Sequence, residues 1–247
     1  SDLGNRIKNK MIRPTTIPQT LQELIIEQAI AREALRLAFV QHKQLAVELR
    51  GVQQQRTISE AFSQSETGGT LVDMLSLDLI VGSGGVLSHA PRRHQAMLMM
   101  IDAFQPEAVT HLAVDSIFMM PQLGVLAQVN PEAATQVFER DCLIHLGTCI
   151  SPIGVAKPGE ACVTINVDLP GKGHLSEGVP FGELRLYPLD VGEKAKVTLQ
   201  PDRHFDMGAG RGQSVEAEVM GGVVGLVVDT RGRPLEISKE PARRAAD

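Results

Sequence analysis

Residues 75–104 read LSLDLIVGSGGVLSHAPRRHQAMLMMIDAF and hold the most informative pattern in the chain. The apolar run from Leu77 to Val81 predicts a short buried β-strand. Gly82, Gly84 and Gly85 follow it and predict a turn where the backbone can approach a ligand with no Cβ in the way. The fold is therefore expected to be organised around this strand and turn.

The same stretch continues into a predicted helix. Pro91 suits a first helical turn, and either Ser88 or His89 is placed to cap that turn. Four apolar residues then recur at helical spacing: Met97, Leu98, Ile101 and Phe104. A strand, a glycine turn and a helix in this order can hold a nucleotide at the helix N-terminus.

The glycine turn matches no standard nucleotide fingerprint. Gly82 and Gly84, with Ser83 between them, begin like a dinucleotide motif, but Leu87 stands at the third glycine position. No Lys-Ser or Lys-Thr pair follows the turn, which excludes a P-loop. Two interpretations stay open: a nucleotide or phosphate site, and a purely structural turn.

Composition excludes several classes of function. The 247 residues suffice for one large or two ordinary domains. The net charge of −5 argues against an electrostatic DNA-binding surface. The absence of Trp argues against stacking platforms for single-stranded nucleic acid. No apolar run is long enough to cross a membrane. We expect neither nucleic acid nor a membrane as a partner.

The cysteines bear on the cellular compartment. Cys142, Cys149 and Cys162 are odd in number and contain no close pair. A disulfide framework or a four-cysteine zinc site is therefore not expected. A reduced, cytoplasmic compartment fits this usage best.

The N-terminal region predicts an extended segment followed by a long helix. Residues 1–18 end in IRPTTIP and are expected to be extended. Thr20 with Glu23 offers a capping box, and Thr16 with Gln19 offers a second, for the start of an amphipathic helix reaching about Leu49. This helix either packs on a sheet or binds a partner. Residues 51–70 are rich in Gln, Ser, Thr and Gly and are predicted to be a mobile loop.

Asp115 follows a second predicted strand, Val109 to Val114. An acid at the carboxyl end of a strand in an α/β sheet lies where ligands bind. Asp115 is also a good N-cap for a helix from Ile117 to Ala127, which Pro121 is expected to kink. Both roles stay open, and Asp115 is a candidate site residue.

From Val155 onward the helical periodicity gives way to alternating segments separated by turn signals. The predicted strands are 162–167, 183–186, 196–199, 215–219 and 223–228. Short strands at this spacing predict a small all-β barrel or sandwich. We therefore predict an α/β domain at 1–153, a β-rich domain at 154–237 and a tail at 238–247.

The run HFDMGAGRGQ, residues 204–213, is the most unusual segment of the second half. Its glycines flank Arg211, so the loop either wraps an anion with backbone N–H groups or forms a glycine-rich hairpin. His204 and Asp206 share one strand face, and with His174 and Glu183 they could assemble a metal site. Their spacing does not require one, and no metal site is predicted.

Three stretches together resemble a known family. They are NKMIRPTTIP with EQAIAREALRL (9–18 and 27–37), DLIVGSGGVL (78–87), and GGVVGL through RGRP (221–226 and 231–234). They resemble the C-terminal part of the glutamate mutase accessory proteins, called MutL or GlmL, which are distinct from the mismatch-repair protein of similar name. The resemblance covers nearly the whole chain.

The resemblance implies a fold and a ligand. The family is similar to the actin, sugar-kinase and heat-shock-chaperone (ASKHA) ATPases, in which two lobes clamp ATP. Gly82, Gly84 and Gly85 would line the adenosine pocket with Ser83 close by, and Asp115 completes the candidate cofactor-binding set. ATP or ADP with Mg is the implied cofactor of the complete protein.

The resemblance also limits what the chain does alone. The phosphate-binding hairpins of this superfamily belong to the first lobe, and the sequence has no counterpart to them. The chain is therefore expected to be an actin-like second lobe followed by the β-domain, cut from a longer protein. ATPase activity would require the N-terminal lobe, and no catalytic residue is assigned.

The implied function is that of an ATP-binding accessory or reactivating, chaperone-like protein for a cobalamin-dependent carbon-skeleton mutase such as glutamate mutase. A mutase subunit is accordingly the expected protein partner, and a homo-oligomer is left open. Two alternatives stay open. One is a non-enzymatic interaction module whose β-domain binds a partner, and the other is a small-molecule kinase lobe.

Overall fold

A computed structural model describes residues 2–46 and 72–236 of the protein. The loop predicted at 51–70 and the tail at 238–247 lie outside these residues. The helices are α1 (Asp2–Ile12), α2 (Leu21–Leu45), α3 (Gly85–Ser88), α4 (Arg93–Phe104), α5 (Met120–Ala127) and α6 (Pro131–Val137). The strands are β1 (Leu79–Gly82), β2 (Ala108–Asp115), β3 (Leu143–Ser151), β4 (Ala161–Leu169), β5 (Gly173–Pro180), β6 (Leu184–Tyr187), β7 (Lys194–Pro201), β8 (Val215–Met220) and β9 (Gly225–Asp229).

The strands form two sheets. The first has the order β1-β2-β3-β9-β6 and the second the order β5-β4-β7-β8. In the first sheet β1 runs parallel to β2 and β3 runs parallel to β9, while the other pairings are antiparallel. The second sheet is wholly antiparallel. The protein is thus a mixed α/β structure.

The five-stranded sheet lies between a helical layer and the four-stranded sheet. Strand β9 illustrates this, because its side chains alternate between two cores. Val227 packs with residues of α4 in the helix-side core. Leu226 and Val228 pack with residues of β4 and β7 in the core between the sheets. Burial on both faces explains why β9 is apolar at every position except its last.

Thr148 connects the two sheets by hydrogen bonds. Its hydroxyl on β3 donates to the carbonyl of Met220 on β8 at 2.7 Å and accepts from the N–H of the same residue at 2.9 Å. The ring Nδ1 of His111 on β2 lies 2.8 Å from the same hydroxyl. Because the hydroxyl proton is already donated to Met220, Nδ1 of His111 is assigned as the donor. Burial lowers the pKa of His111.

The predicted start of α2 is confirmed, and the predicted extended segment before it is wrong. Thr20 and Glu23 form the reciprocal capping box. Residues 2–12, however, form helix α1, whose first turn is supported by an ion pair from Arg6 to Asp2 at 2.8 Å. Pro14 and Pro18, which suggested an extended segment, come after this helix. The extended backbone is therefore limited to the residues between α1 and α2.

The strands predicted after residue 155 are all present, but they do not close a barrel within 2–46 and 72–236. The barrel alternative is therefore wrong. Strands β6 and β9 join the sheet of β1–β3 instead of the sheet of β4. The layers of the structure consequently cross the predicted boundary at residue 153, and the division into two domains stays a prediction.

Two glycines permit close approach of backbones around β3. A Cβ on Gly147 would lie 1.9 Å from the carbonyl oxygen of Gly225, and one on Gly222 would lie 2.4 Å from the carbonyl carbon of Leu146. These contacts give a packing reason for the glycines of the run GGVVGL.

Among the helices of residues 2–46 and 72–236, none combines the length and the apolar character that a membrane span requires.

Candidate functional site

The candidate site lies at the carboxyl ends of β1 and β2. These strands are parallel neighbours, and their last paired residues are Gly82 and Val114. Ser83, directly after β1, and Asp115, the last residue of β2, therefore lie side by side, and the hydroxyl of Ser83 lies 3.5 Å from a carboxylate oxygen of Asp115. This is the edge at which ligands bind in open α/β sheets.

Asp115 is fully buried and organises the loop that follows it. Its carboxylate accepts backbone N–H groups from Met120 at 2.9 Å, Met119 at 3.1 Å and Ile117 at 3.4 Å. Burial acts to raise the pKa of Asp115, but these amide hydrogen bonds outweigh it and hold the pKa below its usual value. The carboxylate is therefore charged at neutral pH and holds the loop that leads into α5.

Asp115 is not the N-cap residue of α5, because that position is held by Met119. Its carboxylate instead accepts the N–H groups of Met119 and Met120 from four and five residues upstream, beside the glycine turn. The predicted helix from Ile117 begins later, at Met120, because residues 117–119 form the loop that the carboxylate holds. Pro121 falls in the first turn of α5, where its missing N–H is harmless. The predicted kink is therefore wrong.

The glycines of the turn differ in what they require. A Cβ on Gly82 would meet the side chains of Leu87 and Met100 at 2.8 Å, so Gly82 allows α3 and α4 to pack on β1. Gly84 has a φ of +105°, which disfavours any other residue, and a Cβ there would meet nothing within 4 Å. Gly85 has neither constraint, since it is exposed and the space beside it is open.

Neither Ser88 nor His89, the two predicted caps, is the N-cap residue of α4, which is Arg92. Ser88 ends the short helix α3, and its hydroxyl donates a hydrogen bond to the backbone carbonyl of Asp115. The following helix α4 begins at Arg93, and the side chain of Gln95 accepts the N–H of Arg92 at 3.1 Å. Ser83 and Ser88 thus tie both ends of the glycine turn to Asp115.

Sequence reasoning missed a buried charge network at the other end of the chain. Asp229, at the end of β9, accepts from Arg231 at 2.9 Å and from Arg233 at 2.9 Å. Arg231 also pairs with Asp102 of α4 at 2.8 Å, and Arg32 of α2 pairs with the same carboxylate at 2.9 Å. The motif RGRP marked a turn, but it carried no signal for these distant partners.

The run HFDMGAGRGQ folds as a loop closed on itself. The carboxylate of Asp206 accepts the N–H groups of Gly208 at 2.7 Å and Gly210 at 3.0 Å. Phe205 and Met207 are buried beneath it. Two of the amides predicted to wrap an anion are thus engaged by the protein's own carboxylate.

Across the described residues, no group of three or more His, Cys, Asp or Glu side chains is placed to hold a metal ion.

A separate cavity of about 550 Å³ lies between α1 and α2. Neither Asp115 nor the glycine turn contributes to its lining, which includes Arg6, Lys10, Ile12, Ile17, Glu27 and Ile30. Lys10 and Glu27 form an ion pair of 2.8 Å across it. This cavity is therefore distinct from the site at the strand ends.

Comparison with known proteins identifies the class of the chain. The model of the MutL protein family matches residues 1–142, which include β1, the glycine turn and Asp115. This is more than half of the 247 residues, and the chain belongs to the MutL family of glutamate mutase accessory proteins. The match confirms the resemblance of residues 1–142 to the glutamate mutase accessory proteins. The resemblance of residues 221–234 to the same family stays a prediction. No curated protein and no solved structure matches the chain.

Proposed function

We propose that this chain supplies half of an ATP or ADP site in an accessory protein of a cobalamin-dependent carbon-skeleton mutase such as glutamate mutase. The observation that carries the proposal is the pairing of Ser83 with Asp115 at adjacent parallel strand ends, beside an open turn at Gly84 and Gly85. Membership of the MutL family supports the link to the mutase.

The residues of the turn fit a nucleotide in a specific way. The space beside Gly84 and Gly85 is open and would be narrowed by a side chain, so the backbone there can approach an adenosine closely. The hydroxyl of Ser83 can donate to a ribose or phosphate oxygen. Asp115 is committed to the amides of the α5 loop, so it positions Ser83 and is not assigned as a ligand of Mg.

In this proposal the chain is the second lobe of an actin-like ATPase, and the strands after residue 154 form an appended β-rich part. Nucleotide binding between two lobes would close them, and hydrolysis would let them open. That motion would release a damaged cofactor from the mutase. ATP supplies the binding and hydrolysis energy, and the residues at the strand ends bind and orient its nucleoside.

Calorimetric titration tests the nucleotide site. Mg-ATP and ADP are titrated into this chain and into the protein in its full natural length. We expect binding to the full-length protein, and we expect Gly85→Val to weaken it at least tenfold. Gly178→Val is the matched control, because Gly178 of β5 also has no positive φ and a Cβ added to it would meet nothing within 4 Å. Equal binding by the two variants would remove the glycine turn from the site.

A reactivation assay tests the link to the mutase. Glutamate mutase inactivated by cofactor damage is incubated with the full-length protein, fresh cobalamin cofactor and Mg-ATP. We expect activity to recover with ATP and to recover much less with a non-hydrolysable analogue. Recovery that is the same without the protein would contradict the accessory role.

A further inference from the structure

Phe118 stands out in the loop between β2 and α5. It has a φ of +59°, which places a bulky aromatic residue in the left-handed region. Phe118 is 51% exposed, and the preceding Ile117 is 56% exposed. Both the backbone conformation and the exposed apolar surface are unfavourable for the isolated protein.

The surrounding contacts enforce this conformation. The carboxylate of Asp115 holds the amides on both sides of Phe118, those of Ile117 and Met119. Ser116 is fixed as well, because its N–H and its hydroxyl both donate to the carbonyl of Cys142, at 2.9 and 2.8 Å. The loop therefore exposes Phe118 between residues that are held on both sides by hydrogen bonds.

The loop emerges at the same edge of the sheet as the glycine turn. Gly82 and Val114 are paired in the register of β1 and β2, and residues 83 and 115 come directly after them. The segments 83–88 and 115–119 therefore begin next to each other at the ends of the two strands. Asp115 is the shared anchor, since Ser88 donates to its carbonyl and Ser83 lies at its carboxylate. An exposed ring and an open glycine turn thus share one ligand-binding edge.

We infer that Phe118, supported by Ile117, forms the apolar wall against which the base of the bound nucleotide packs. This inference rests on the proposed function and assigns a residue that sequence reasoning left inside a helix. An aromatic ring stacks on any purine, because every base has a flat π face. Phe118 would therefore contribute affinity for the base without distinguishing adenine from guanine.

The variants are chosen so that the effect of losing the Phe118 ring on nucleotide affinity is measured without a change in backbone conformation. Phe118→Asn removes the ring but keeps a residue that tolerates a positive φ, and Phe118→Tyr keeps an aromatic ring. Val129→Ala is the control for loss of an exposed apolar side chain, since Val129 is 84% exposed. Calorimetric titrations of the full-length protein with Mg-ATP, Mg-GTP and Mg-tripolyphosphate measure binding with and without a base, and thermal unfolding verifies that each variant is folded.

We expect Phe118→Asn to weaken ATP and GTP alike by about tenfold, the range seen when one stacked ring is lost. Tripolyphosphate binding should be unchanged, and Phe118→Tyr and Val129→Ala should stay within twofold of the parent. If ATP affinity were unchanged in Phe118→Asn but reduced in Gly85→Val, the assignment of Phe118 as the wall against the base would be wrong. The proposed function would still stand. No nucleotide binding by the parent protein would overturn both.

Discussion

Asp229 and Arg233 form an ion pair of 2.9 Å in which both side chains are almost completely excluded from solvent. Arg233 also donates to the carbonyl of Pro106 and to the hydroxyl of Ser151, each at 2.8 Å. The pair therefore joins the end of β9 to β3 and to the segment after α4. A buried pair of this kind is costly to break, because the remaining charge has no solvent to compensate it.

We predict that Asp229→Asn destabilises the protein by about 3–5 kcal/mol, the usual cost of leaving one member of a buried ion pair. Urea denaturation at pH 7 measures this as a lower midpoint. The matched control is Glu218→Gln, which removes an ion pair of 2.7 Å with Lys194 in which both side chains are more than half exposed. The control should leave the midpoint unchanged, and equal shifts in the two variants would contradict the buried network.

Asp115→Asn should lower the free energy of unfolding at pH 7 by about 1–3 kcal/mol, because a neutral amide replaces the charged acceptor of the loop N–H groups. The pKa of Asp115 is lower in the folded protein than its usual value, which is about 3.9 in the unfolded chain. Its stabilising contribution is therefore complete above that value and is lost as the pH falls through the folded pKa.

The difference in stability between the parent and Asp115→Asn should accordingly shrink below about pH 4. Urea titrations between pH 7 and pH 3 measure it. The pKa of Asp229 is also lowered, but both proteins contain Asp229, so its contribution cancels in the comparison. A difference that stays constant down to pH 3 would show that the carboxylate charge is not what stabilises the loop.

Thr148→Val should cost about 1–3 kcal/mol of unfolding free energy, because the N–H and the carbonyl of Met220 would both lose their partner. Valine has nearly the shape of threonine, so the change tests the hydrogen bonds and not the packing. Thr198→Val on β7 is the control at a half-buried position and should change stability by less than about 0.5 kcal/mol. Urea denaturation distinguishes the two variants.

Gly222→Ala should prevent the native packing of β3, since the new Cβ would lie within 2.5 Å of three backbone atoms of Leu146 and Gly147. Gly85→Ala should be stable, because a Cβ at that position meets nothing within 4 Å. Circular dichroism and thermal unfolding of the two variants make the comparison. Native-like stability of Gly222→Ala would mean that the backbones around β3 do not approach as closely as described.

The three cysteines should be unreactive in the native protein. All are buried, and burial raises the pKa of Cys149 and of Cys162 to about 12 and raises that of Cys142 as well. For a pKa near 12 the thiolate fraction at pH 8 is on the order of one in ten thousand. Titration with a chromogenic disulfide reagent should detect all three thiols in guanidinium and none within minutes in buffer. Rapid reaction of a thiol in buffer would contradict its burial.

Local patterns in the sequence predicted the elements that depend only on near neighbours. Thr20 and Glu23 are three residues apart and form their capping box without help from the rest of the fold. The strands with alternating side chains, such as β7 and β8, were likewise predictable from a period of two. The glycine turn after β1 was predictable because an apolar run ends abruptly at Gly82.

Elements whose local pattern is ambiguous were missed. Strand β3 is partly or fully buried along its length, so its residues do not alternate between apolar and polar. Strand β5 is mostly exposed and carries two glycines, which weakened its signal. Helix α1 has no buried residue, so packing left no clear mark on its sequence beyond a stripe of Leu3, Ile7 and Met11.

The residues that could form the candidate site were recognisable before the fold was known, since Ser83 and Asp115 each follow an apolar run. That the two side chains meet could be learned only from the folded chain, because their contact spans 32 positions and depends on the parallel register of β1 and β2. The same holds for the contact of Arg231 with Asp102, which spans 129 positions. A strand period or a cap is a local property of the chain. The first of these contacts exists only after β1 has paired with β2, and the second only after β9 has been placed beside β3 and α4 has packed on the sheet.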